Sequence, residues 1–168
     1  MAGQTRPDRA RRNEQGFTLI ELMVVILIVA ILMAVAVPTY LRARQVANDR
    51  AVQTNVRNAL TATRIFYNDG ASYSPTPADM VGVEPSLTWT NDTLDATATE
   101  RSIFIAVYDT PSTAQTVVVG GRTSEGRCFF IRDVMGGITA GTYYDEDVDG
   151  GTDCPAPDPA VITQPSWD

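Results

Sequence analysis

Residues 22–37 are apolar without exception, and no later stretch of the 168-residue chain approaches that density. Taken from Phe17, the segment would form a helix of about 31 Å at 1.5 Å per residue, enough to cross a bilayer core. Arg6, Arg9, Arg11 and Arg12 precede it. Positive charge ahead of a span holds the N-terminus in the cytoplasm and sends the remainder outward. Three readings are open on this pattern. It suits an ordinary secretory signal with Ala34-Val35-Ala36 as a small-residue cleavage site, a plain signal anchor, or a helix trimmed upstream and then kept. Glu21 separates them. A carboxylate at the edge of an apolar helix costs a few kcal/mol if deeply placed. Neither a disposable signal nor a simple anchor needs it. A new N-terminus created beside it does, because its ammonium would otherwise lie unpaired in hydrocarbon.

The residues around Glu21 carry a family resemblance. Gly16-Phe17-Thr18-Leu19-Ile20-Glu21-Leu22-Met23-Val24-Val25 resembles the prepilin signal of type IV pilins and type II secretion pseudopilins, and the likeness continues to Pro38 and Tyr40. The resemblance implies that a prepilin peptidase cuts after Gly16 and methylates Phe17. It also implies that Glu21 pairs with the N-terminal amine of a neighbouring subunit during assembly. Cutting there removes the leader arginines, so the helix can leave lipid and pack among identical helices at little hydrophobic cost.

Pro38 ends the apolar run and favours a bend, although helices do continue through proline kinks. Beyond it Val52, Val56, Ala59, Leu60 and Phe66 fall on one helical face. Arg50, Arg57 and Arg64 repeat every seven residues on another, read as a solvated stripe or as one that meets acidic neighbours in a filament. One helix is therefore expected over about 17–67, stopped by Asn68-Asp69-Gly70. A long connecting loop is expected from there to about Glu100. Strands are expected at 102–109, 115–119 and 127–134, with a short one at 141–144, all β-branched or aromatic and bounded by Gly, Pro or Asp. Short links make an antiparallel meander. The fold class is α+β: a long N-terminal helix, half apolar and half amphipathic, on a small antiparallel sheet, as in the pilin family. The divisions are a leader at 1–16, a transmembrane and filament-core helix at 17–37, an amphipathic half at 38–68 and a head at 69–168.

Charge is segmented. Residues 38–68 carry five arginines against Asp49, whereas residues 69–168 carry sixteen acids against four arginines, a net of −12. Such a head repels phosphate backbones, so broad nucleic-acid binding is not expected. It keeps an exported protein soluble, and it could attract the basic middle section of another copy. Histidine is absent, which removes the usual imidazole base and His-ligated zinc, and no nucleophile–base pairing is visible, so an enzyme is not expected. Cys128 and Cys154 read as one disulfide in an exported chain, the alternative being two free thiols of a cytosolic protein.

One acidic constellation stands out, Asp145-Glu146-Asp147-Val148-Asp149-Gly150-Gly151-Thr152-Asp153. Alternate aspartates followed by glycine match the start of a calcium loop, with Asp145, Asp147, Asp149 and Asp153 as oxygen donors and Gly151 lending a carbonyl. Position twelve is Ala156, not the bidentate glutamate of an EF-hand, so structural Ca2+ of modest affinity and a solvated acidic turn are the two readings. The resemblance adds that major pseudopilins hold calcium in a C-terminal acidic loop.

These features point to a structural subunit of a type IV pilus-like filament. It would be single-pass in the inner membrane and then extracellular, with itself, the membrane, the prepilin peptidase and the pilus or secretion machinery as partners. A secretion or competence pseudopilin is the alternative within the same chemistry. From another class, a secreted calcium-binding domain released by signal peptidase after Ala36 remains open.

Overall fold

The computed structural model describes residues 16–70, 76–109, 115–136, 139–147, 151 and 153–167. The chain divides into two compact units, Met1–Leu41 and Arg42–Asp168.

In the first unit, helix α1 (Leu19–Gly70) begins after Thr18 and carries Pro38 inside it. The Thr18 hydroxyl accepts a hydrogen bond from the Glu21 amide at 3.2 Å, and the Leu22 amide bonds the Thr18 carbonyl at 3.3 Å. That makes Thr18 the N-cap, satisfying an amide that the first helical turn leaves orphaned. Pro38 offers no amide to the carbonyl four residues earlier, yet the helix runs on through it. Beside the gap, the Thr39 hydroxyl donates to the Val35 carbonyl at 3.0 Å. Every described residue of this unit is exposed, including the whole apolar run.

In the second unit α1 turns amphipathic. Val52, Val56, Ala59 and Thr63 are fully buried, with Leu60 and Ala62 nearly so. They face a five-stranded sheet in chain order: β1 (Thr88–Thr90), β2 (Ser102–Asp109), β3 (Gln115–Arg122), β4 (Cys128–Met135) and β5 (Gly141–Asp147). β1 pairs with β2 in parallel and the other three pairings are antiparallel. Successive side chains point to opposite faces. Ile103, Ile105, Val117, Val119, Phe129 and Ile131 therefore join the helix, while Phe104, Val118, Cys128 and Phe130 join Leu94, Cys154 and Ile162 in a second cluster. Burial of both faces explains why Val117-Val118-Val119 and Phe129-Phe130-Ile131 are unbroken apolar runs rather than alternating ones.

Three expectations are corrected. The stretch expected as a long loop contains β1 and a helix, α2 (Pro77–Val83). Thr76 and Asp79 form a reciprocal capping box there and Pro77 sits at the first turn. β3 runs past Val119 to Arg122 and β5 past Tyr144 to Asp147, because register with β4 carries pairing beyond the apolar residues. The arginine stripe is not uniformly solvated: Arg57 lies over the Trp167 ring at 4.8 Å and Arg64 bonds Asp133.

Gly120 and Gly121 set two packing distances. A Cβ on Gly121 would lie 2.8 Å from methyls of both Val52 and Val56, and one on Gly120 would lie 2.5 Å from the Phe130 ring. Gly121→Ala is therefore expected to push α1 off the sheet at a cost of about 1–3 kcal/mol. Urea unfolding of the detergent-solubilised chain, followed by tryptophan fluorescence, measures it. An unchanged midpoint would show that this contact does not set the helix–sheet distance.

Candidate processing and assembly site

The residues flanking the expected cut are not helical. Gly16, Phe17 and Thr18 precede the first turn of α1, all three are exposed, and Phe17 retains 84% of its surface. A Cβ on Gly16 would meet nothing within 4 Å. Nothing among the described residues demands glycine at 16, so the demand for a small residue would come from whatever cuts there. The Thr18 cap starts the helix immediately afterwards and leaves the 16–17 peptide in an exposed, non-helical segment. Glu21 is the acid of the first turn, where a carboxylate is favoured by the partial positive charge of the exposed amides. Behind it, α1 contains a stretch long and apolar enough to cross a membrane, with a mean hydropathy of 3.1 and none of it buried. An exposed apolar surface of this extent requires lipid or other helices around it.

The head stabilises itself separately. Cys128, the first residue of β4, is bonded to Cys154, with Cα atoms 5.8 Å apart and both side chains buried. The bond closes a separation of 26 residues, worth about 3.5 kcal/mol in the chain-entropy treatment. Cys154 is also bridged to Leu94 through both main-chain amides, at 3.2 and 2.8 Å. The disulfide thus holds the C-terminal segment over the second apolar cluster. At the other end of that segment Gln164 pairs with the Tyr144 backbone at 2.7 and 3.2 Å. Trp167 then sets its edge against Phe129 and Tyr144 and donates to the Asp145 carbonyl at 3.0 Å.

The acidic constellation begins within β5. Asp145 and Asp147 complete β5 and share one face of it, opposite Phe130 and Cys128 in the register. Asp149 lies outside the described residues, and Asp153 is exposed. Among the described residues no group of three or more acids or cysteines could hold a metal ion. Burial raises the Asp145 carboxyl above its ordinary value; the Glu146 amide opposes the rise and Asp147 adds to it.

Arginine is close at hand. Arg122, only 5% exposed, stands across Cys128 from Asp147 in the strand register and donates weakly to the Gly151 carbonyl at 3.5 Å. On the other face Arg127 pairs with Asp49 and lies 3.8 Å from Glu146. Neither arginine stood out in the sequence, because each role depends on strand register rather than on spacing along the chain.

Comparison with known proteins agrees with the N-terminal geometry. The family described as "Prokaryotic N-terminal methylation motif" matches residues 11–37. The chain is 42% identical over 72 residues to the type IV wide pilus major component PilA4 of Thermus thermophilus, covering 43% of this chain and 55% of that protein. It is 34% identical over 80 residues to the type IV major pilin protein PilA of Myxococcus xanthus, covering 48% and 36%. To the competence protein ComGC of Halalkalibacterium halodurans it is 33% identical over 57 residues, covering 34% and 56%. The match therefore spans from about a third to just over half of the length of these relatives. No solved structure matches. The capped helix start behind Gly16 and Phe17, the first-turn glutamate and the exposed apolar run all lie within the stretch that the prokaryotic N-terminal methylation motif matches, and the chain that carries them is similar to type IV pilins and to a competence protein.

Proposed function

We propose that this chain is the structural subunit of a type IV pilus-like filament. It is inserted as a single-pass precursor, cut after Gly16 by a prepilin peptidase, methylated on Phe17, and polymerised through the apolar part of α1 with the assembly machinery. The observation that carries the reading is the contrast within α1: residues 19–41 are wholly exposed and apolar-rich, whereas residues 52–63 are packed into a disulfide-closed head with its own core. The first part has no fold of its own to join, and a bundle of identical helices supplies one. Two of the relatives are pilus components, which supports the pilus reading; the likeness to ComGC supports a competence pseudopilin as the second.

The mass and N-terminal sequence of the protein recovered from membranes or sheared surface material test it. A chain beginning at Phe17 and heavier by one methyl group is expected. A chain beginning at Val37 would mean ordinary secretion and would overturn the filament reading. Structural calcium at the acidic segment is a separate proposal, resting on its carboxylate density, and calcium titration of the processed protein at millimolar concentration tests it.

A further inference from the structure

Five arginines lie on α1 between Pro38 and Gly70, and the structure sorts them. Arg57 and Arg64 are committed to their own head, through the Trp167 ring and Asp133. Arg42, Arg44 and Arg50 are exposed and have no ion pair among the described residues. The acid near them in sequence, Asp49, is taken by Arg127. At 100° per residue Arg42 and Arg50 lie within about 80° of each other, while Arg44 points to the far side, so positive charge collars the helix rather than striping one face. The collar sits between the apolar run and Val52, where burial begins.

Polymerisation creates the problem that such a collar solves. Each copy brings sixteen acids against four arginines in residues 69–168. Copies bundled through α1 hold those heads side by side at high effective concentration, and like charges packed together repel. Parallel copies displaced along a common axis set the collar of one beside the heads of others. We propose that Arg42, Arg44 and Arg50 form a docking collar for the acidic heads of neighbouring copies of this chain, supplying the countercharge that lets those heads pack. This rests on the filament reading above. Because the pairs form between exposed groups, the contact is sensitive to ionic strength.

The test is Arg42→Glu/Arg44→Glu/Arg50→Glu in the full-length chain, expressed in cells that make the filament. The three side chains have no ion pair to lose among the described residues, so the head's unfolding midpoint should not move and processing to Phe17 should proceed. Filament yield is expected to fall at least about tenfold. Wild-type filaments should shed subunits when salt is raised from about 50 mM to about 500 mM, where screening contracts to a few ångströms. A triple variant that assembles as wild type, or wild-type filaments indifferent to salt, would overturn the collar while leaving the filament reading intact. If the variant is instead lost from membranes and from vesicles of anionic phospholipid before assembly, the partner is a lipid headgroup and the proposal fails. A wild-type chain that starts at Val37 and makes no filaments removes both readings.

Discussion

Replacing Arg64 by Met lowers the stability of the head by about 3 kcal/mol, the lower end of the cost of orphaning one partner of a buried ion pair. Asp133 is 1% exposed on the helix-facing side of β4. Its two oxygens accept Arg64 Nε at 3.0 Å and Nη2 at 2.6 Å, and the Thr142 hydroxyl donates to it at 2.9 Å. The two-pronged fit fixes α1 against β4 in rotation as well as in distance. Without the guanidinium the carboxylate stays buried and loses both of its charged hydrogen bonds, while the Thr142 hydroxyl still donates to it. Arg64 itself is 44% exposed, so water reaching the gap keeps the loss from the upper end of the range. The urea midpoint of the solubilised chain should fall accordingly, and a loss under about 1 kcal/mol would show that the pair is ornamental. Arg64→Met combined with Asp133→Leu should recover most of the loss, since removing both charges removes the desolvation problem as well.

That pair also marks where sequence reading stopped. The buried face of α1 was legible because the 3.6-residue period at Val52, Val56, Ala59 and Leu60 is a local pattern. The four longer strands were legible from apolar runs between turn residues, and their order from short links. The disulfide followed from an even cysteine count. Arg64, in contrast, looks like any solvated arginine until β4 brings Asp133 to it across 69 residues. β1 escaped because three residues of Thr-Trp-Thr give no period, and it is ordered by parallel pairing with β2. α2 could have been found, since its Thr76-Pro77-Ala78-Asp79 start carries both a capping box and a proline. In the acidic segment β5 runs on through Asp147, because its pairing with β4 depends on register rather than on spacing along the chain. The N-terminal motif was the most legible part, because its residues, Gly16, Phe17 and Glu21 among them, are read from their order along a single stretch of chain.

Glu21→Ala should abolish filaments while leaving the subunit in the membrane. Insertion depends on the apolar run and cutting on the open Gly16–Phe17 peptide, and neither needs a carboxylate at 21. Assembly differs. On the filament reading, each cleaved subunit would carry an ammonium on Phe17, and bundling the helices would remove the water that solvates it. With Glu21 present the two ions can pair between copies. With alanine the ammonium is desolvated alone, at about 3–5 kcal/mol for each subunit added. At 1.4 kcal/mol per factor of ten, the subunit concentration needed for growth rises by roughly two to three orders of magnitude. Membranes are expected to hold normal amounts of methylated Phe17 chain, with sheared fibres below detection. Glu21→Gln should behave like alanine, since it keeps shape and hydrogen bonding but not charge. Glu21→Asp should retain some assembly. Wild-type fibre yield from Glu21→Ala would sink the pairing role. Normal fibres from Glu21→Gln alone would mean that a hydrogen bond, not a charge, is what the bundle needs at this position.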